Sequence, residues 1–154
     1  MTDSIARLRP DCVTMFNEFK NVEKPKYDFL IMRLDGLNIV PDLCPNFGYS
    51  ATTPKYSQRQ HPAYDYMVDH LIEKGSGYAF YILPIDTPNG PSKKIIFFTY
   101  VDDNGPAKTK MTITSNKSVV EKGCPDFSLK ITANSLEDLT YKSCLDAVAH
   151  AKSI

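Results

Sequence analysis

The sequence predicts an α/β protein of the α+β type, with one central mixed sheet of five to six strands sandwiched between helices. Three observations carry this. Two nearly continuous apolar runs, YAFYILPI (78–85) and KKIIFFTYV (93–101), flank a Thr-Pro-Asn-Gly turn at 87–90. Strands that apolar are central and covered on both faces. Segments with helical periodicity occur before, between and after the strand segments. A chain of 154 residues suits one domain with a sizeable core, here 1–154.

The elements follow in order. DCVTMFNEFK (11–20) places Cys12, Met15, Phe16 and Phe19 on one helical face, with Pro10 near the first turn. YDFLIMRL (27–34) alternates as a strand. The Asp35-Gly36 pair then joins it to LNIVPDL (37–43) as a hairpin. Residues 44–61 lack periodicity and are rich in Pro, Gly, Ser, Thr and Tyr, so they read as a long loop. A second helix covers 63–74, with Tyr64, Met67, Val68 and Leu71 as its stripe and Gly75 and Gly77 as its stop. The apolar hairpin follows.

Residues 106–122 are ambiguous. Pro106 suits a first helical position and Gly105 a cap. Yet Thr112, Ile113, Thr114, Val119 and Val120 are β-branched, which permits a strand. FSLKITA (127–133) is a short alternating strand. Thr140 can cap a last helix with Tyr141, Cys144, Leu145 and Val148 on one face. Hairpins impose antiparallel pairing and the helices must cover the sheet, which gives the helix-flanked sheet.

Eighteen basic residues balance eighteen acidic ones, which argues against bulk binding to nucleic acid or membrane while allowing a local basic patch. No apolar run approaches the roughly 18 residues of a membrane span. MTDSIARLRP has no apolar core of a secretory signal. Cys12, Cys44, Cys124 and Cys144 form no CxxC pair or zinc spacing. They read as reduced thiols of an intracellular, cytoplasmic protein.

His61, His70 and His150 have no ligand-spaced neighbours, and neither a nucleophile elbow nor a phosphate loop occurs. Asp102-Asp103 reads as a solvated turn or a pair of acids at a helix start. No metal, cofactor or catalysis is expected, and a binding protein outranks an enzyme.

The stretch 93–117 carries most of the functional content. Lys108 and Lys110 stand where a helix would begin, facing a dipole end that favours acids by about 0.3–1 kcal/mol. An external acidic partner offsets that disadvantage. Met111 beside Lys110 adds an adaptable apolar side chain, as protein interfaces do. Lys93, Lys94 and Lys117 complete the basic set.

These residues bring a family into view. Cys12 with Phe16, KYDFLIMRL, YAFYILPI, KKIIFFTY, GPAKTKM, SNK and LEDLTYKSCL stand in the order of the actin-depolymerising factor/cofilin family, which the chain resembles over nearly its whole length. The resemblance implies a mixed sheet whose fourth strand is antiparallel to its neighbours. It also implies one long helix at 106–122. It implies binding to actin monomers and filaments, with preference for the ADP form, and depolymerisation or severing of filaments.

By position, the resemblance assigns monomer binding to Ser4, Leu8, Lys108, Lys110, Met111, Ile113 and Lys117. Ser4 matches a phosphorylation site, where about −1.5 to −2 charges would repel acidic actin. Ile5 and Arg7 depart from the small residues usual beside it.

The filament site is less complete. Lys94 matches a basic position, but its usual companion is Ser92, for which adjacent Lys93 can substitute. Asp146 is kept, while the basic positions after it are Ala147 and His150. Monomer binding is therefore expected to be better preserved than filament binding. The usual tryptophan is Tyr100. The resemblance further implies phosphoinositide binding through Lys93, Lys94, Lys108, Lys110 and Lys117, and a monomeric protein. The alternatives are a relative that acts on actin-related proteins or binds filaments without severing, and, more distantly, a small enzyme using Asp102 or His70.

Overall fold

A computed structural model of the chain describes residues 6–20, 28–43 and 62–152. The expectations for Ser4, for its phosphorylation and for the loop at 44–61 lie outside these residues. Strand β1 (Arg7–Leu8) leads into α1 (Pro10–Phe19), with Pro10 in the first turn. Strands β2 (Phe29–Asp35) and β3 (Asn38–Leu43) form the first hairpin. Helix α2 (Pro62–Lys74) precedes β4 (Ser76–Thr87) and β5 (Gly90–Val101), which pair along their whole length. Then come α3 (Ala107–Ser115), α4 (Lys117–Gly123), β6 (Leu129–Ala133), a 3-10 turn (Leu136–Leu139) and α5 (Tyr141–Lys152).

The six strands lie in the order β1-β3-β2-β4-β5-β6. β4 is antiparallel to both its neighbours, while β1 with β3 and β5 with β6 are parallel pairs. The sheet is therefore mixed, as expected. β1 is too short for periodicity to reveal.

Alternation along the central strands builds two cores. Tyr78, Phe80, Ile95 and Phe97 face α1, α3 and α4. Ala79, Tyr81, Leu83, Ile96 and Phe98 face α2, α5 and the 3-10 turn. Both faces of β4 and β5 are thus covered, which explains their unbroken apolar sequence. Tyr100 is buried in the second core. Gly75 ends α2 at φ +82°, with its N–H bonded to Leu71 O at 2.9 Å. That is a left-handed helix stop only glycine makes without strain. Thr140 Oγ1 accepts the Ser143 N–H at 3.1 Å, the cap expected for α5.

The segment 106–122 departs from expectation in two ways. Pro106 is the N-cap, in extended conformation, and Ala107 begins the helix. The helix is also two helices, broken at Asn116 (φ −99°, ψ 4°). Hydrogen bonding explains the break. In a continuous helix Ile113 O would accept from the backbone four residues on; here the buried Tyr78 hydroxyl donates to it at 2.6 Å. Thr112 O accepts from the Asn116 side-chain amide at 2.9 Å. The β-branched residues are accommodated: Ile113 enters the core, while Thr112 Oγ1 donates back to Lys108 O at 2.8 Å. Among the described residues no helix is long and apolar enough to cross a membrane.

Burial pushes the Tyr78 phenol well above its ordinary pKa, so it stays a donor across working pH. Tyr78→Phe keeps the ring and strips the buried Ile113 carbonyl of this bond. It should cost about 1–3 kcal/mol. The readout is a lower denaturant midpoint at unchanged slope. A loss under about 0.5 kcal/mol would show that the carbonyl finds another donor.

Candidate functional site

Helix α3 presents one face to the core and one outward. Ile113 is 1% exposed and Asn116 1%, and with Val120 they form the inward line. Lys108 and Met111 point outward, and Met111 is 72% exposed. An exposed large apolar side chain beside a lysine is the feature that marks this face.

The two lysines of the expected pair differ. α3 has neither a side-chain N-cap nor an acid in its first turn. Lys110 Nζ compensates by donating to Asp103 O in the preceding turn, at 2.8 Å. Among the described residues, Lys108 Nζ has no such acceptor. The electrostatic disadvantage of a cation at a helix start is therefore internally offset at Lys110 and remains open at Lys108.

Two expected contact residues are repositioned. Ile113 is enclosed in the core and does not lie on the outer face. Leu8 is half-buried against the same core. Its side chain occupies the space that a Cβ on Gly123 would need, beside Val13, so it fastens β1 to the end of α4. Lys117 is half-buried as the first residue of α4.

Asn116 is the residue that sequence reading missed. Its Oδ1 accepts the Ala6 N–H at 2.7 Å, while its Nδ2 donates to Thr112 O. The N-terminal segment is thereby tied to the end of α3. Arg7 N–H continues the attachment to Leu37 O at 2.8 Å. A signal existed: Asn116 interrupts an otherwise apolar line at helical spacing.

On β5, pleating separates Lys93 from Lys94. Lys94 pairs with Leu83 and shares the face of Ser92 and Ile96, whereas Lys93 pairs with Pro84 on the opposite face. Lys93 and Ser92 therefore lie on opposite faces of the sheet. α5 packs on the face of Lys94. Asp146 is exposed and paired with Lys142 at 3.2 Å, and His150 is exposed near the end of α5.

The residues considered for chemistry have structural roles. Asp102 Oδ1 accepts the Asn104 N–H at 2.9 Å within the turn. Among the described residues no group of His, Cys, Asp and Glu could hold a metal ion. Cys12, Cys124 and Cys144 are buried free thiols, and burial pushes each up to about 12, which leaves them neutral and unreactive. His70 is half-buried, with Nε2 2.8 Å from Asp42 Oδ2, while Arg33 Nε lies 3.4 Å from Oδ1. Burial alone would raise the Asp42 carboxyl. The His70 hydrogen bond and the charges of His70, Arg33 and Lys74 outweigh it and hold the carboxyl below its ordinary range.

A mixed six-stranded sheet between two helical layers, bearing an exposed basic and apolar helix, corresponds to a known class. The family described as cofilin/tropomyosin-type actin-binding protein matches residues 6–149. Actophorin of Entamoeba histolytica is 24% identical over 148 residues, covering 96% of each chain. Cofilin of Saccharomyces cerevisiae is 26% identical over 151 residues, covering 97% of this chain and 96% of the yeast protein. Among solved structures, cofilin of Streptomyces griseoflavus shares the fold with a TM-score of 0.76 at 20% identity, over 94% of this chain and 98% of that one. Coactosin of Entamoeba histolytica does so at 0.73 and 13% identity, over 98% and 99%. The chain belongs to the cofilin/ADF family. That family consists of actin-binding proteins that are not enzymes, which removes the small-enzyme alternative.

The Asp42 pairing has a pH signature. A carboxyl with a depressed folded-state pKa stabilises the fold above its unfolded value, about pH 3.9, and that contribution is lost as pH falls through the folded value. Asp42→Asn should therefore lower the thermal midpoint near neutrality, and the gap to the parent protein should close below about pH 4. A gap that persists undiminished into strong acid would mean that the charge of Asp42 is not what matters.

Proposed function

We propose that this protein binds actin through the outer face of α3 and the N-terminal segment beside it, and promotes depolymerisation and severing of filaments. Lys108, Lys110 and Met111 form the centre of the monomer contact, with Ser4, Leu8 and Lys117 at its margins. The observation that carries this reading is Met111, exposed between an open lysine and a tethered one at the start of α3. Truncating a central apolar anchor typically costs most of what an interface loses, and the flanking cations steer an acidic partner to it. Ile113 acts from beneath, by seating the helix.

Filament contact uses Lys94 with Asp146 and His150. It is weaker than monomer contact, because Ser92 and Ala147 supply no charge and Lys93 lies across the sheet. The protein works as a cytoplasmic monomer on the ADP form of actin. Phosphorylation of Ser4 releases it, and phosphoinositides engage the basic residues Lys93, Lys94, Lys108, Lys110 and Lys117.

Lys108→Glu should weaken binding to actin monomers about tenfold or more, and Lys108→Glu with Lys110→Glu about a hundredfold, equal to roughly 1.4 and 2.8 kcal/mol. Thermal melts of the variants confirm that the fold is retained. Monomer affinity and filament co-sedimentation are measured at equal salt. Tight filament binding with weak monomer binding would sink the proposed ranking.

A further inference from the structure

The tie between the N-terminal segment and α3 runs through one side chain. Asn116 is 1% exposed, at the break between α3 and α4. So enclosed a residue has no surface to offer a partner protein. Its two polar atoms point elsewhere. Oδ1 accepts the Ala6 N–H at 2.7 Å, and Nδ2 donates to Thr112 O at 2.9 Å. An N–H only donates and a carbonyl oxygen only accepts, so the partners fix the orientation of the amide.

The two bonds differ in what depends on them. Thr112 O also accepts the Asn116 backbone N–H at 3.1 Å, so the end of α3 keeps a bond without the side chain. Ala6 is buried, and among the described residues its N–H has Asn116 Oδ1 as its acceptor. The strand that follows adds little hold of its own. β1 pairs with β3 at two positions only, Arg7 with Asn38 and Leu8 with Ile39. Its backbone donates from Arg7 to Leu37 O at 2.8 Å and from Arg9 to Ile39 O at 3.1 Å. So short a strand is shorter than sheets ordinarily use. A buried N–H that loses its acceptor therefore favours release of the segment.

We propose that Asn116 is a positioning residue for the actin contact. Its Oδ1 holds Ala6 at the end of α3, so that the N-terminal segment and the face bearing Lys108 and Met111 meet actin as one surface. Cutting the tether leaves only a fraction of molecules with both parts in place, and the affinity falls with that fraction. The effect on actin rests on the proposed function; the tether does not.

Full-length variants separate the two bonds. Asn116→Leu keeps the volume and removes both. Asn116→Asp keeps an oxygen for the Ala6 N–H and removes the donor to Thr112 O. Amide hydrogen exchange of the free protein reads the tether, thermal melts read the fold, and monomer affinity reads the function. Asn116→Leu should open the Ala6 amide to exchange, leave β4 and β5 protected, and weaken actin binding about tenfold. Asn116→Asp should lower the thermal midpoint, yet keep the Ala6 amide protected and actin binding within about twofold of the parent. Ala6→Pro removes the donor from the other side. Combined with Asn116→Leu it should add no further loss, because both cut the same bond. Across the variants, actin binding should follow the Ala6 amide. Weak binding with that amide still protected, or full binding with it open, would overturn the positioning role. If the parent does not bind actin at all, the proposed function fails and this role with it, while exchange at Ala6 still reports the tether.

Discussion

The buried junction between α3 and α4 is the constraint on which the exposed surface depends. Three hydrogen bonds meet there: Tyr78 to Ile113 O, Asn116 to Thr112 O, and Ala6 to Asn116. Two of them satisfy backbone groups, Ile113 O and the Ala6 N–H, that would otherwise cost about 1–3 kcal/mol to bury unpaired, while the third adds to Thr112 O, which already accepts the Asn116 N–H at 3.1 Å. Together they decide where α3 stops, how it sits on β4, and where the N-terminal segment leaves the core. A straight helix through Asn116 would have met the need of Ile113 O internally. The break therefore converts an ordinary amphipathic helix into a two-part surface with a fixed neighbour.

The same junction shapes the electrostatics. Because α3 begins at a proline cap without an acid, its first turn is short of negative charge. Lys110 recovers some of what it loses by reaching back to Asp103 O. Among the described residues Lys108 has no such acceptor, and it stands exposed on the outer face that carries Met111. A solvated cation placed against its local field gains when an acidic group is brought to it from outside.

Much of the fold was legible because it follows from periodicity. The two long apolar strands, the turns at Gly36 and 87–90, the Gly75 stop and the Thr140 cap each follow from local chemistry acting on adjacent residues. The misreadings have a common physical origin, since they depend on partners far away in sequence. Tyr78 and Ile113 are 35 positions apart, and Ala6 and Asn116 are 110 apart. No window along the chain contains both halves of either bond, so the helix break could not be read from 106–122 alone. β1 is two residues long and exists only because β3 offers it an edge. The candidate site was legible where it is exposed, at Lys108 and Met111. It was misread where a residue type allowed two fates, as with Ile113, whose apolar side chain serves the core.

Strand geometry bears on the basic residues in the same way. Adjacent lysines look interchangeable in a sequence, yet a period of two sends Lys93 and Lys94 to opposite sides of the sheet. Charge count along a strand is therefore a poor guide to charge density on a face. A helix start behaves differently, because Lys108 and Lys110 differ by about 200° around the axis and each meets a different environment within one turn.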